Sequence, residues 1–175
     1  MALRNVLKFG DETLRKTCKQ VEKFDRRLWQ LLDDLHDTLT DIGGVGLAAP
    51  QVGILRRVCI VELGPEEDDG DLVEMINPTL EIVGERTQRT LEGCLSSDKV
   101  WGYVMRPYDI IVKAQDRFGN PFEKNADELL ATAIFHEVDH LDGILFSDKA
   151  DEFVDDPEEA KARMRKQRSR NRKKK

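Results

Sequence analysis

The clearest hydrophobic rhythm in the chain lies between Asp25 and Asp41, where Leu28, Leu31, Leu32, Leu35 and Leu39 recur at intervals of three and four. That spacing places the leucines on one face of an α-helix, and Asp25 can cap it by accepting from its first free N–H groups. His36 falls off the stripe and is expected to face solvent. The pattern stops at Ile42-Gly43-Gly44. A second helix is expected to begin near Asn125 or Asp127, where Asp127 and Glu128 suit a first turn, and to run to about Asp142, with Gly143 as its stop. A third begins at Asp156-Pro157-Glu158-Glu159, a cap followed by a proline at the first helical position.

Between the first two helices the rhythm shortens. Arg57 to Glu62 is apolar and β-branched, and Leu72 to Ile76 reads as a second strand ended by Asn77-Pro78. Leu80 to Thr90 reads as one long strand, and Val100 to Met105 and Asp109 to Asp116 as two more. Phe118-Gly119-Asn120-Pro121 reads as the turn joining two strands. Pro65 to Gly70 is an acidic surface loop, and Ile144-Leu145-Phe146 is a short apolar run after the second helix. Helix, many strands, helix is the order of an α+β fold. The expected architecture is mainly antiparallel strands packed around a central helix, the second one, with a C-terminal helix beyond it.

Length and charge refine this picture. At 175 residues the chain is long enough for one domain with a sizeable core. The net charge of −6 hides an asymmetry. Of 28 Lys and Arg, ten lie in residues 161–175, where no acidic residue occurs, so the first 160 residues carry 18 positive charges against 34 negative. A globally basic nucleic-acid-binding domain is excluded; a basic appendage is not. No run of about 18 apolar residues is present to span a membrane, and the N-terminus is too polar for a signal-peptide core. A cytoplasmic protein is therefore expected. Cys18, Cys59 and Cys94 are too few and too scattered for a disulfide framework.

Two of only three histidines, His136 and His140, stand in His136-Glu137-Val138-Asp139-His140 on the second helix. Four residues bring the second imidazole back to within about 40° of the first, so both can bind one metal ion from the same face. Glu137, beside a ligand, can reach a metal-bound water and take its proton. A catalytic site of this kind needs a third protein ligand. Cys94, in Glu92-Gly93-Cys94-Leu95-Ser96, offers a thiolate among polar and glycine neighbours, where Cys18 and Cys59 read as small buried hydrophobes.

Taken together, Gly44-Val45-Gly46-Leu47-Ala48-Ala49-Pro50-Gln51, Glu92-Gly93-Cys94-Leu95-Ser96 and His136-Glu137-Val138-Asp139-His140-Leu141-Asp142-Gly143 resemble, in order and separation, the three motifs of the peptide deformylases. The resemblance covers about residues 1–150. It implies that Cys94, His136 and His140 hold one divalent metal with a water in the fourth position, Fe²⁺ being the physiological ion and Zn²⁺, Ni²⁺ or Co²⁺ also suited. It implies that the water attacks the formyl carbon of N-formyl-methionyl nascent peptides, with Glu137 as general base and then acid, releasing formate. Gln51 and the backbone N–H of Leu95 would stabilise the developing oxyanion. Val45 and Gly46 would run beside the substrate as an added strand. Glu92 is expected to pair with Arg106 and so fix the metal-bearing turn.

Ser97 and Asp98 stand where the family commonly has an apolar residue and a proline, and Phe135 replaces a glutamine often found before the first metal histidine. Other readings of the residues are a zinc peptidase cleaving internal bonds, a cysteine hydrolase using Cys94 as nucleophile, and an inactive binding module docking through its tail. The division expected is a catalytic unit over 1–150, then an acidic hinge and a basic C-terminal helix and tail over 151–175. The resemblance implies that this tail docks on ribosomal RNA, and that the setting is a bacterial cytoplasm.

Overall fold

The computed structural model describes residues 3–64, 71–97 and 100–172, with the side chains of residues 157, 161 and 167–172 left aside. The acidic loop at 65–70, Asp98 and the last three lysines lie outside the described residues.

Helix α1 spans Arg26–Ile42, capped by Asp25, whose side chain accepts from the N–H groups of Arg27 and Leu28, and closed by Gly43 at φ 78°. A short strand β1, Gly46–Ala48, follows and runs into a 3₁₀ turn at Ala49–Val52. Strands β2 (Val58–Val61), β3 (Val73–Ile82), β4 (Thr87–Gly93), β5 (Trp101–Pro107), β6 (Asp109–Gln115) and β7 (Pro121–Asp127) lead into α2, Glu128–Leu141. A 3₁₀ turn at Phe146–Asp148, strand β8 (Glu152–Val154) and α3 (Pro157–Arg172) complete the chain.

The strands form two antiparallel sheets, one ordered β1-β2-β3-β6-β7 and one ordered β4-β5-β8. The larger sheet explains why β2 reads as a continuous apolar run. Val58 and Ile60 pack with the α1 leucines. Cys59 and Val61, pointing the other way, pack with Leu130, Ile134 and Val138 of α2. A strand covered by a helix on each face needs apolar residues at every position. Each fully buried leucine of α1 contributes about 1.5–3 kcal/mol of transfer free energy.

Several boundaries differ from the sequence expectation. Asn77-Pro78 does not end a strand. Asn77 takes φ 53° and the register of β3 on β6 shifts between Ile76 and Thr79, a bulge that lets the strand continue to Ile82. The Asn77 side chain supports the bulge, donating to Val21 O and Gln115 Oε1 at 2.9 Å and accepting from Val21 N at 2.8 Å. The long strand expected over 80–90 is two, broken near Gly84 (φ 71°), and its halves belong to different sheets. Of the two starts expected for α2, the structure takes the later: Asp127 is the N-cap and Glu128 the first helical residue, because Asn125 is still paired with Ile111 of β6. Residues Glu152–Val154, within the segment expected to be a hinge, pair with Tyr103–Trp101 of β5.

The third helix is tied to this second sheet. Ala160 is buried, and Met164 packs with Leu91 and Val154. Arg163 bonds Glu159 at 2.7 Å and Glu152 at 3.3 Å, and Arg89 of β4 holds Asp151 at 2.6 Å and Glu152 at 2.8 Å. Among the described residues no helix is long and apolar enough to cross a membrane.

Candidate metal centre

Cys94 leaves the end of β4 next to Gly93, which is paired with Trp101. A Cβ on Gly93 would lie 2.5 Å from Trp101 Nε1, so the glycine is required by the indole packed over the strand. The cysteine is thereby held facing α2. One donor atom from each of Cys94, His136 and His140 lies within 4.8 Å of the other two. Cys94 Sγ is 3.2 Å from His140 Nε2, and the two imidazole rings are 5.1 Å apart. The sulfur also receives the N–H of Ser96 at 3.4 Å and Gln51 Nε2 at 3.5 Å, an environment suited to an anionic ligand atom.

The two histidines are buried but electrostatically unlike. Burial, reinforced by the charges of His136 and Arg106, holds the His140 pKa well below its usual value, which keeps the ring neutral as a ligand must be. Burial disfavours a charged His136 as well, but its bonds to Cys94 and Glu92 outweigh that and raise its pKa well above the ordinary value. One sulfur and two imidazole nitrogens, brought together from the turn after β4 and one face of α2, are a donor set that fits a divalent ion.

Glu92 stands behind His136, 2.8 Å from Nδ1. That contact fixes which ring nitrogen faces the cluster. The expected pairing of Glu92 with Arg106 is made: Arg106 Nε and Nη2 donate to the two carboxylate oxygens at 2.7 and 2.9 Å, and the guanidinium is buried. Burial alone would raise the Glu92 carboxyl, yet Arg106 and His136 hold it down to about 2. The residue in the glutamine position, Phe135, lies under that guanidinium, 5.8 Å from ring centre to Cζ. Ser97 closes the turn after Cys94, exchanging hydrogen bonds with Val100.

Glu137 points into the space between α2 and β1. Burial pushes its carboxyl up to about 7, and its Oε2 is buried without a hydrogen-bond partner. A carboxylate with one idle oxygen and a pKa near neutrality can take and return a proton. Gly46 makes room for it, because a Cβ there would fall 2.5 Å from Glu137 Oε1. Gln51 is buried, and its Oε1 accepts from Ala48 N at 2.8 Å, which turns its amide N–H₂ toward Cys94 and Ser96. Leu95 is half-buried, with its carbonyl 3.1 Å from Lys8 Nζ. Val45 precedes the outer strand of the larger sheet and accepts from Glu62 N at 2.9 Å. His36 is elsewhere, 3.3 Å from Glu62.

Sequence reasoning passed over two supports. Asp139 is buried inside the histidine motif and bonds Arg106, and Phe146 stacks on the His136 ring at 5.8 Å and 24°. For Asp139 the signal was its i+3 spacing from His136, on the same helix face.

The family model described as polypeptide deformylase matches residues 3–155. A peptide deformylase of Caldicellulosiruptor bescii is 52% identical over 165 residues, covering 94% of this chain and 96% of that protein. Peptide deformylase 1 of Bacillus subtilis is 44% identical, covering 90% and 96%. The crystal structure of peptide deformylase from Thermotoga maritima superposes with a TM-score of 0.81 at 34% identity, covering 87% of this chain and all of that one. With likeness at this level running through both sheets and the Cys94, His136 and His140 cluster, the chain belongs to the polypeptide deformylase family, a family of metal-dependent hydrolases.

Proposed function

We propose that this chain removes the formyl group from the N-terminus of N-formyl-methionyl nascent peptides. The observation that carries this reading is the convergence of Cys94, His136 and His140 beside the idle oxygen of Glu137. Cys94, His136 and His140 hold the metal, which when bound supplies Lewis acidity for activating water. Glu137 Oε2 accepts a proton from the water as its oxygen adds to the formyl carbon. The C–N bond then breaks, Glu137 returns the proton to the leaving amine, and formate and a free amino terminus result. Gln51 Nε2 and the Leu95 N–H donate to the formyl oxygen as it gains charge; the bond from Ala48 N to Gln51 Oε1 fixes that amide beforehand, so no reorganisation is needed at the barrier. Val45 just precedes β1 and Gly46 begins it, at an edge that carries no second strand among the described residues and where an extended peptide can add.

Fe²⁺ is the ion proposed for the native enzyme; the same donors suit Zn²⁺, Ni²⁺ or Co²⁺. The proposed setting is a bacterial cytoplasm. The division proposed is a catalytic unit over 1–150 and a C-terminal segment over 151–175, which begins as strand β8 on the second sheet and ends in a basic extension that docks on ribosomal RNA. The excess of Lys and Arg after residue 160 supports that docking, and binding of this kind should weaken steeply with salt.

Anaerobically prepared protein, assayed for metal content and for formate release from formyl-Met-Ala-Ser against acetyl-Met-Ala-Ser, tests the reading. Internal cleavage without formate would favour a peptidase, and activity surviving complete chelation would favour Cys94 as a nucleophile. Ribosome co-sedimentation at low salt that survives truncation after Glu159 would remove the docking proposal.

A further inference from the structure

The charged groups behind His136 do not end at Arg106. Asp139, buried one residue before His140, accepts on Oδ2 from Arg106 Nη1 at 2.6 Å. It also accepts from Lys149 Nζ, at 2.7 Å on Oδ1 and 2.8 Å on Oδ2. The full series is Lys149, Asp139, Arg106, Glu92, His136, alternating in sign and ending on the ring of a proposed metal ligand. Only Lys149 has substantial exposure, 38% of its side chain. It follows the same short turn that carries Phe146, the ring stacked on His136.

We infer that Lys149 is a positioning residue for the metal centre: by sharing Asp139 with Arg106, it leaves the guanidinium committed to Glu92, which orients His136. The inference rests on the reading of Cys94, His136 and His140 as metal ligands. Its physical basis is charge balance in a buried space. With Lys149 present, two carboxylates face two cations. Without it, one guanidinium must answer two buried carboxylates, and an uncompensated buried charge is strongly unfavourable. Arg106 now makes two bonds to Glu92 and one to Asp139. Drawn toward Asp139, it would give up the two-oxygen grip that holds Glu92 under His136 Nδ1, and the ring would lose its fixed orientation.

The test uses Co²⁺ as the probe in the full chain. Lys149→Met, Lys149→Arg and, as a control on the same turn, Arg15→Met (Arg15 pairs with Asp148) are compared with the unsubstituted protein. Co²⁺ affinity is measured by competition with a chromophoric chelator, alongside the visible absorption of the cobalt-loaded protein and the thermal midpoint of the metal-free protein. Lys149→Met is expected to weaken Co²⁺ binding about tenfold, the low end of the range for partners behind metal ligands, and to shift the thiolate-to-cobalt absorption. Lys149→Arg should restore both, and Arg15→Met should leave both unchanged. The inference is overturned if Lys149→Met binds Co²⁺ within about twofold of the unsubstituted protein, if its only effect is a lower thermal midpoint, if Lys149→Arg fails to restore binding, or if Arg15→Met loses as much. Should Lys149→Met not fold, Lys149→Gln keeps a donor without the charge and is judged by the same readouts. Cys94→Ser run in parallel separates the two claims. If it keeps full Co²⁺ affinity, the ligand assignment itself fails; if it loses affinity while Lys149→Met does not, only the role of Lys149 fails.

Discussion

Replacing Gly46 by alanine should disable turnover while leaving the proposed metal ligands in place. An ideal Cβ at Gly46 would lie 2.5 Å from Glu137 Oε1 and 2.8 Å from its Cδ and Cγ. Carbon contacts normally settle at about 3.5–4.0 Å, so the methyl group arrives roughly 1 Å too close to three atoms. Glu137 is 4% exposed, so it cannot swing out into solvent. Gly46 is itself held in register opposite Val61 of β2. One of the two must move, and overpacking of this kind costs about 1–3 kcal/mol of stability. Loss of a positioned general base costs about 10²–10⁴ in rate, or about 3–5 kcal/mol of barrier at 1.36 kcal/mol per decade. The assay is steady-state deformylation of formyl-Met-Ala-Ser, with metal content and thermal midpoint measured on the same samples. The expected outcome is a kcat lower by about 100-fold or more, unchanged metal content and a modestly lower midpoint. A rise in KM alone would mean that Gly46 matters only to the peptide strand. Gly44→Ala is the comparison, because its Cβ would meet the terminal methyls of Leu39 and Leu95 at 2.9 Å, the ends of flexible side chains. A Gly46→Ala variant with unimpaired kcat would refute the argument.

Three further outcomes can be checked. In metal-free protein Glu92 is held down to about 2 from its ordinary 4.5, so it stabilises the fold above pH 4.5 and that contribution, roughly 3 kcal/mol, is lost as the pH falls toward 2; Glu92→Gln should flatten the acid limb of a stability–pH curve by this amount, and identical curves would contradict it. Burial pushes the Cys18 thiol up to about 11 and the Cys59 thiol well above its usual value, so a thiol reagent at pH 8 should label the native metal-free protein once, at half-buried Cys94, and added metal should protect it; labelling of Cys59 at a comparable rate would overturn this. Glu128 opens α2 at φ 46°, a conformation costly for a β-branched residue, so Glu128→Val should lower stability by about 2 kcal/mol relative to Glu128→Gly, and equal melting of the two would remove the backbone argument.

What the chain revealed before its fold was known depended on how local each signal was. The leucines of α1 and the cap at Asp25 are complete within one helix, and the helix lies where they place it. The three motifs were legible because their residue types belong to one chemistry. The failures came where partners are distant in sequence. Asn77-Pro78 reads as a stop, since proline breaks a ladder, but the Asn77 side chain reaches Val21 and Gln115 and the strand goes on. Asn125 carries helix-start chemistry, yet pairing with β6 outweighs it and the cap falls to Asp127. Gly46 and Gly93 read only as members of their motifs, whereas each sits under a side chain, Glu137 or Trp101, that no local pattern reveals. Asp139 looks like one more solvated charge on a helix until Arg106 and Lys149 are brought to it.

Strand β1 is three residues long, pairs among the described residues only with β2, and gives way at once to the turn that carries Gln51. An edge this short offers main-chain partners to only a few residues of an incoming chain. Among the described residues, a polypeptide docked there as proposed meets no further ladder beyond those few, so its downstream sequence goes unread. On the proposed docking, discrimination is then concentrated at the first residues, beside the proposed metal ligands, and everything after them is tolerated. A processing step applied to many different proteins at their beginnings has need of that brevity, and the same brevity gives a second copy of the enzyme little edge on which to stack.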